Sequence, residues 1–151
     1  MSDKIVFGAK AVLFTIVLWL IFIYGYGDFF LVDNVVPEKG IEISEWMDSF
    51  YFAGALSAVV GLICAVIWYI FGINYAGGAG IVSKYRILLI VSIILGLVIA
   101  FLLILPAVDG SGLSLFFAWL ISPLVFYINS LFNSAEAVKF IPPLGITLHN
   151  R

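Results

Sequence analysis

Charge is confined to short stretches of this 151-residue chain, and four long runs between them carry none. The runs lie between Lys10 and Asp28, Asp48 and Lys84, Arg86 and Asp109, and Asp109 and Glu136. Crossing the roughly 30 Å hydrocarbon core takes about 20 helical residues, and each run is of that order. A charge at the bilayer centre costs roughly 2.5–3.5 kcal/mol on insertion scales, so four successive uncharged runs are not a chance pattern. The pattern predicts an all-α membrane protein: a single domain of four transmembrane helices with short loops. The expected helices run from about Val6 to Tyr26, Ser44 to Tyr75, Tyr85 to Val108 and Gly112 to Ala135, with an apolar tail over 136–151.

Composition agrees. The chain is 64% hydrophobic and 11% charged, against about 45–50% apolar and 25% charged in soluble domains. No basic stripe interleaved with aromatics is present, so nucleic acid is not an expected partner. Cys64 is alone within the second run, which excludes a disulfide framework or thiolate metal site within one chain. Lys4 and Lys10 ahead of an apolar stretch resemble a signal peptide. The stretch from Ala11 to Tyr26 is longer than a usual signal core, however, and bulky Phe29 and Phe30 follow instead of a small-residue cleavage site. The reading is a retained first helix.

Six of the seven Lys and Arg residues fall on one side of this topology: Lys4, Lys10, Lys84, Arg86, Lys139 and Arg151. The other side has Lys39 against Asp28, Asp33, Glu38, Glu42, Glu45, Asp48 and Asp109. By the positive-inside rule both termini are expected in the cytoplasm and the acidic first loop outside, in a plasma membrane or bacterial inner membrane. Lys84 and Arg86 are assigned to the turn joining the second and third helices, with Gly77, Gly78 and Gly80 making the bend. Tyr24, Tyr26, Trp46 and Tyr51 suit an aromatic belt at the outer interface, and Trp68, Tyr69, Tyr75, Tyr85 and Tyr127 one at the inner interface. Ser44 is the expected N-cap of the second helix, whose length carries its start beyond the lipid.

Motifs for chemistry are sparse. Gly25-Tyr26-Gly27-Asp28 spells the core of a potassium-channel filter, which requires an outer helix and a pore helix before it. Only 24 residues precede Gly25, and Phe22-Ile23-Tyr24 stand where Thr and Val belong. A helix end turning on glycine explains the motif better. His149 is the only histidine, too few for bis-histidine haem ligation or a histidine-rich metal site. The acidic residues avoid the runs, leaving no intramembrane carboxylate for a proton relay. No catalysis, cofactor or metal is expected.

Packing signals are stronger. Ser57, Gly61 and Ala65 recur every four residues in the second helix, and Ser92, Gly96 and Ala100 do so in the third. Small-xxx-small faces let backbones approach where lipid supplies no hydrophobic drive. The antiparallel hairpin is expected to bring the two stripes together, the competing use being contact with another subunit. In the fourth helix Ser122, Asn129 and Asn133 share a face, and Pro123 is expected to kink the helix there. Interhelical glue is favoured over the lining of a solute path. In the tail, Phe140, Ile141, Leu144, Ile146 and Leu148 surround Pro142-Pro143. Water tolerates such a segment poorly, so docking against protein is expected, the alternative being the membrane interface.

These readings combine into an expected function: a non-enzymatic membrane subunit with an accessory, scaffold or assembly role in a larger envelope complex, such as a secretion, transport or energy-conversion machine. Its partners would be the bilayer and other membrane subunits. One alternative is an oligomeric small-solute channel or transporter subunit with the fourth helix lining the path. Another is an immunity-type membrane protein that blocks a toxin or pore.

Overall fold

Every described element of the chain is helical. The computed structural model describes residues 3–22, 24–25, 43–75, 80–103 and 112–145. Four helices, α1 (Asp3–Leu20), α2 (Ile43–Tyr75), α3 (Ile81–Leu103) and α4 (Gly112–Phe132), are followed by one 3-10 turn, Glu136–Val138. Two stretches among the described residues are long and apolar enough to cross a membrane: Met47–Asn74, with mean hydropathy 2.4, and Ile81–Leu103, with 2.9.

Helix directions follow from which side chains meet. Phe7 of α1 stacks on Tyr69 of α2, while Tyr24 lies near Tyr51, so α1 and α2 are antiparallel. Tyr85 of α3 meets Phe126 of α4, and Trp119 of α4 bonds back to Ile93, so α3 and α4 are antiparallel too. Gly61 and Gly72 of α2 face, in the same order, Val125 of α4 and Val138 beyond it. Thus α2 and α4 run parallel. One end of the bundle therefore gathers the start of α1, the end of α2, the start of α3 and the end of α4. It carries Lys4, Lys10, Lys84, Arg86 and Lys139, and is called the basic end below.

The burial pattern sets α4 at the centre. Ile121, Ser122, Val125 and Phe126 are fully buried, and Asn129 and Ser130 nearly so. By contrast α3 buries only the stripe Tyr85, Leu88, Ser92, Gly96 and Ala100. Its other faces present Ile87, Ile90, Ile94, Phe101 and Leu102 outward, each more than half exposed. The outer faces of the bundle are thus aliphatic, while α3 turns small residues inward. Lipid tolerates that surface and water does not, because soluble monomers rarely expose apolar patches beyond a few hundred Å².

Besides α1, which begins at Asp3 and not at the expected Val6, helix boundaries depart from the charge pattern in two places. Lys84 and Arg86, assigned above to a turn, lie in the first turns of α3. Gly80, one of the glycines expected in the bend, has φ +89°, and the Lys84 amide already donates to the Gly80 carbonyl at 3.0 Å. A long cationic side chain does not end a helix; it carries its charge out along the surface. The second departure is that α4 stops at Phe132, short of Ala135. Ala135 is extended, with φ −59° and ψ 146°, and the chain turns there into the 3-10 segment. α2 begins at Ile43, close to its expected start. The expected ends of the first and third helices, at Tyr26 and Val108, lie outside the described residues, as do the first loop, Gly77, Gly78 and the side chains of Ser44, Trp46 and Tyr75.

Candidate functional site

The residues singled out from sequence converge on α4. A Cβ added to Gly61 would fall 2.8 Å from Cβ of Val125, and closer still to the Ser122 carbonyl oxygen. One added to Gly96 would lie 2.9 Å from the Trp119 carbonyl oxygen and 3.0 Å from Cβ of Ser122. The two stripes, Ser57-Gly61-Ala65 and Ser92-Gly96-Ala100, are buried throughout. At both glycines, however, the close approach is to α4 between them, which corrects the expected hairpin contact between the stripes. The physical reason is that a stripe of small residues fixes how near a backbone can come and says nothing of which backbone comes.

Pro123 gives that approach a second purpose. Lacking an N–H, it leaves the carbonyl of Trp119, four residues earlier, without its intrahelical donor. That oxygen is the one packed against Gly96, where a glycine Cα–H can serve as a weak donor. α4 runs on through Pro123, which is itself buried.

Toward the basic end, α4 is tied to each of the other helices by a polar side chain. Asn129 Nδ2 donates to Thr15 Oγ1 of α1 at 3.3 Å and to the Val125 carbonyl at 3.0 Å. Ser130 Oγ and Tyr85 Oη of α3 are 3.0 Å apart. Trp68 Nε1 of α2 donates to Ser134 Oγ, just past the end of α4, at 2.7 Å. Asn133 Nδ2 donates to Asn129 Oδ1 at 3.2 Å, holding that amide in place. Interhelical bonds of this kind are each worth about 0.6–2 kcal/mol. The hydroxyls of Ser57 and Ser122 are buried without a hydrogen-bond partner, so Ser122 contributes smallness rather than a bond.

Sequence reasoning placed Trp68 and Tyr85 in an interfacial belt; they are buried core residues, 1% and 3% exposed. Both ring edges bear donors that must be satisfied when buried. Two serines, Ser130 in α4 and Ser134 just past its end, are the available signal, and a spacing of four carries both to the same side.

The tail packs in part on this chain itself. The expectation is docking against protein, and the first part of the tail folds back onto its own bundle. Val138 is fully buried against Gly72, where an added Cβ would lie 2.6 Å from its Cγ2. Ile141 packs on the same cluster as Trp68, Tyr85 and Phe126. Tyr127 Oη donates to the Pro143 carbonyl at 2.9 Å, Gly145 N to the Pro142 carbonyl at 2.8 Å, and Lys139 pairs with Glu136. Phe140 and Leu144 point away, 41% and 65% exposed. Leu144 sits at φ +69°, in the left-handed region. Ile146 and Leu148 lie outside the described residues. We refer to 133–145 as the cap.

Among the described residues no three His, Cys, Asp or Glu side chains come together as a metal site would require. Comparison with protein-family models, with curated proteins and with solved structures produces no match.

Proposed function

We propose that this chain is a four-span, non-enzymatic membrane subunit that joins a larger envelope assembly through its cap, with the basic end in the cytoplasm. The four-span reading draws support from the exposed faces of α1 and α3, where Leu13, Ile16, Ile87 and Leu102 point outward. The observation that carries the assembly reading is Leu144. A non-glycine residue at positive φ costs on the order of 1–3 kcal/mol, and such strain clusters where function needs it. Here the strained residue is a leucine, mostly exposed, beside an exposed Phe140. Such a pair is suited to insertion in a partner's apolar groove.

The channel alternative draws less support, because Ser122, Asn129 and Asn133 are buried among the chain's own helices. As a lining they would have to be uncovered by opening the bundle.

The test is purification of the native protein in mild detergent, with mass measurement of the intact complex. A defined hetero-complex is expected for the wild type. Leu144→Asp should lose it while keeping the helical circular dichroism. A wild-type protein that runs as a monomer, or a complex that survives Leu144→Asp, overturns the reading. A homo-oligomer passing solute in vesicles would favour the channel.

A further inference from the structure

A cleft of about 510 Å³ opens at the basic end between the first turns of α1, the last turns of α2 and the cap. Lys4 and Lys10 line it from α1, Tyr69 from α2, and Asn133 and Glu136 from the cap. A second groove of about 370 Å³ shares Lys4, Phe7, Tyr69 and Ile73 with the cleft, then continues along Ile70 and Val66. The stacked rings of Phe7 and Tyr69, 3.8 Å apart, stand where the two spaces meet. The step from Ile73 to Val66 is about 10 Å at 1.5 Å per residue, directed toward the middle of the apolar α2 stretch. A charged chamber thus passes into an apolar trough that runs away from the bundle end.

We propose that the cleft and groove together bind an anionic phospholipid, its phosphate between Lys4 and Lys10 and one acyl chain along Ile70 and Val66. The charges decide the headgroup. Glu136 is occupied by Lys139. Among the described residues neither Lys4 nor Lys10 is in an ion pair. Asp3, also in the lining, offsets one of them, leaving the chamber with one net positive charge. That complements a phosphodiester whose headgroup is otherwise neutral, as in phosphatidylglycerol. A choline headgroup would bring a fixed cation toward the two ammonium groups. The first turn of α1 adds its own favourable field, since unpaired amides at a helix start attract anions. The groove decides the lipid over free phosphate: Val66, Ile70 and Ile73 are 37%, 47% and 48% exposed with no polar group to offer. The proposal needs only membrane residence, and stands apart from whether the cap docks on a partner.

The test uses the full chain in mild detergent, with lipid binding read by native mass spectrometry. Dioleoylphosphatidylglycerol should bind about tenfold more tightly than dioleoylphosphatidylcholine, since each lysine near an anionic surface contributes roughly fivefold and Asp3 takes part of it back. In Lys4→Gln/Lys10→Gln the preference should fall to about twofold or less. Arg86→Gln, at the same end but outside the lining, should keep it. Ile70→Trp, which fills the groove, should weaken both lipids. Equal binding of the two lipids by the wild type, or a preference that survives the double substitution, overturns the proposal. Inorganic phosphate that competes fully, with Ile70→Trp silent, makes this a phosphate site and overturns the lipid. Should the double variant not fold, Lys4→Gln and Lys10→Gln are measured singly, each with a loss of about threefold expected and no loss in either refuting the assignment.

Discussion

Replacing Gly61 with alanine adds one methyl group where α2 and α4 approach closely. Carbon atoms settle at about 3.5–4.0 Å, whereas this Cβ would sit 2.8 Å from Cβ of Val125 and nearer to the Ser122 carbonyl oxygen. Neither atom can be moved by a rotamer change, since one is backbone and the other is fixed to it. The helices must separate by a large fraction of an ångström, loosening the packing around Ile121, Val125 and Phe126. Overpacking of this kind costs about 1–3 kcal/mol, here toward the upper end. Against it stands the helix-propensity gain of alanine over glycine, at most about 1 kcal/mol. The net loss is then about 1–2 kcal/mol, a fall in melting temperature of roughly 2–8 °C for a chain of this length. Gly8 is the internal control, for a Cβ there meets nothing within 4 Å, and Gly8→Ala should leave the melting temperature unchanged or higher. Thermal unfolding in one mild detergent compares all three proteins. If Gly61→Ala melts at or above the wild type, as Gly8→Ala should, α2 and α4 do not approach at Gly61 as described.

Other consequences are open to the same kind of measurement. Asn129→Ala removes the bonds to Thr15 and Val125 and strips Asn133 of its acceptor, so a loss of about 1–2 kcal/mol is expected. Ser122→Ala, which deletes a buried unpartnered hydroxyl, should be neutral or slightly stabilising; the opposite ranking by unfolding would remove the glue role of the Asn129 face. Leu144→Gly relaxes a positive-φ position and should stabilise the isolated chain by about 1 kcal/mol, yet weaken the native complex. Gains on both measures would mean the strain serves nothing outside the chain. For orientation, Ser2→Cys should be shielded from an impermeant thiol reagent on intact cells and Glu38→Cys should react, each in a Cys64→Ala background. Labelling at the first position alone reverses the topology.

How far residues alone carried the description differs from element to element. The body of α2 was readable because uncharged length and small-residue spacing both mark a helix in lipid, and its described start at Ile43 falls within a residue of the expected one. The start of α3 was misread because charge was taken as a boundary. Backbone bonding runs through Lys84 and Arg86, with Gly80 at positive φ just before the first turn of α3. Asn129 was identified as interhelical glue from its spacing with Ser122 and Asn133, but Thr15 as its acceptor was not, since the partners are 114 residues apart. Trp68 and Tyr85 looked like belt residues because amphipathic rings serve interface and core equally well. Their burial follows from the cluster with Phe126 and Val138, where Ser130 and Ser134 satisfy their polar atoms.

The residues of this chain determined by themselves which segments are helical and apolar, and which faces are small or polar. Those properties follow from side-chain size, hydropathy and a period of 3.6, all of them local. Only the tertiary structure decided that α4 is the helix both glycine stripes receive, that Asn129, Ser130 and Ser134 each bind a different neighbour, and that Val138 turns the tail back onto Gly72. A periodicity defines a face but not what lies opposite it. In a bundle whose exteriors are all compatible with lipid, the opposite helix is selected by close fit and by the few polar groups that must find one another.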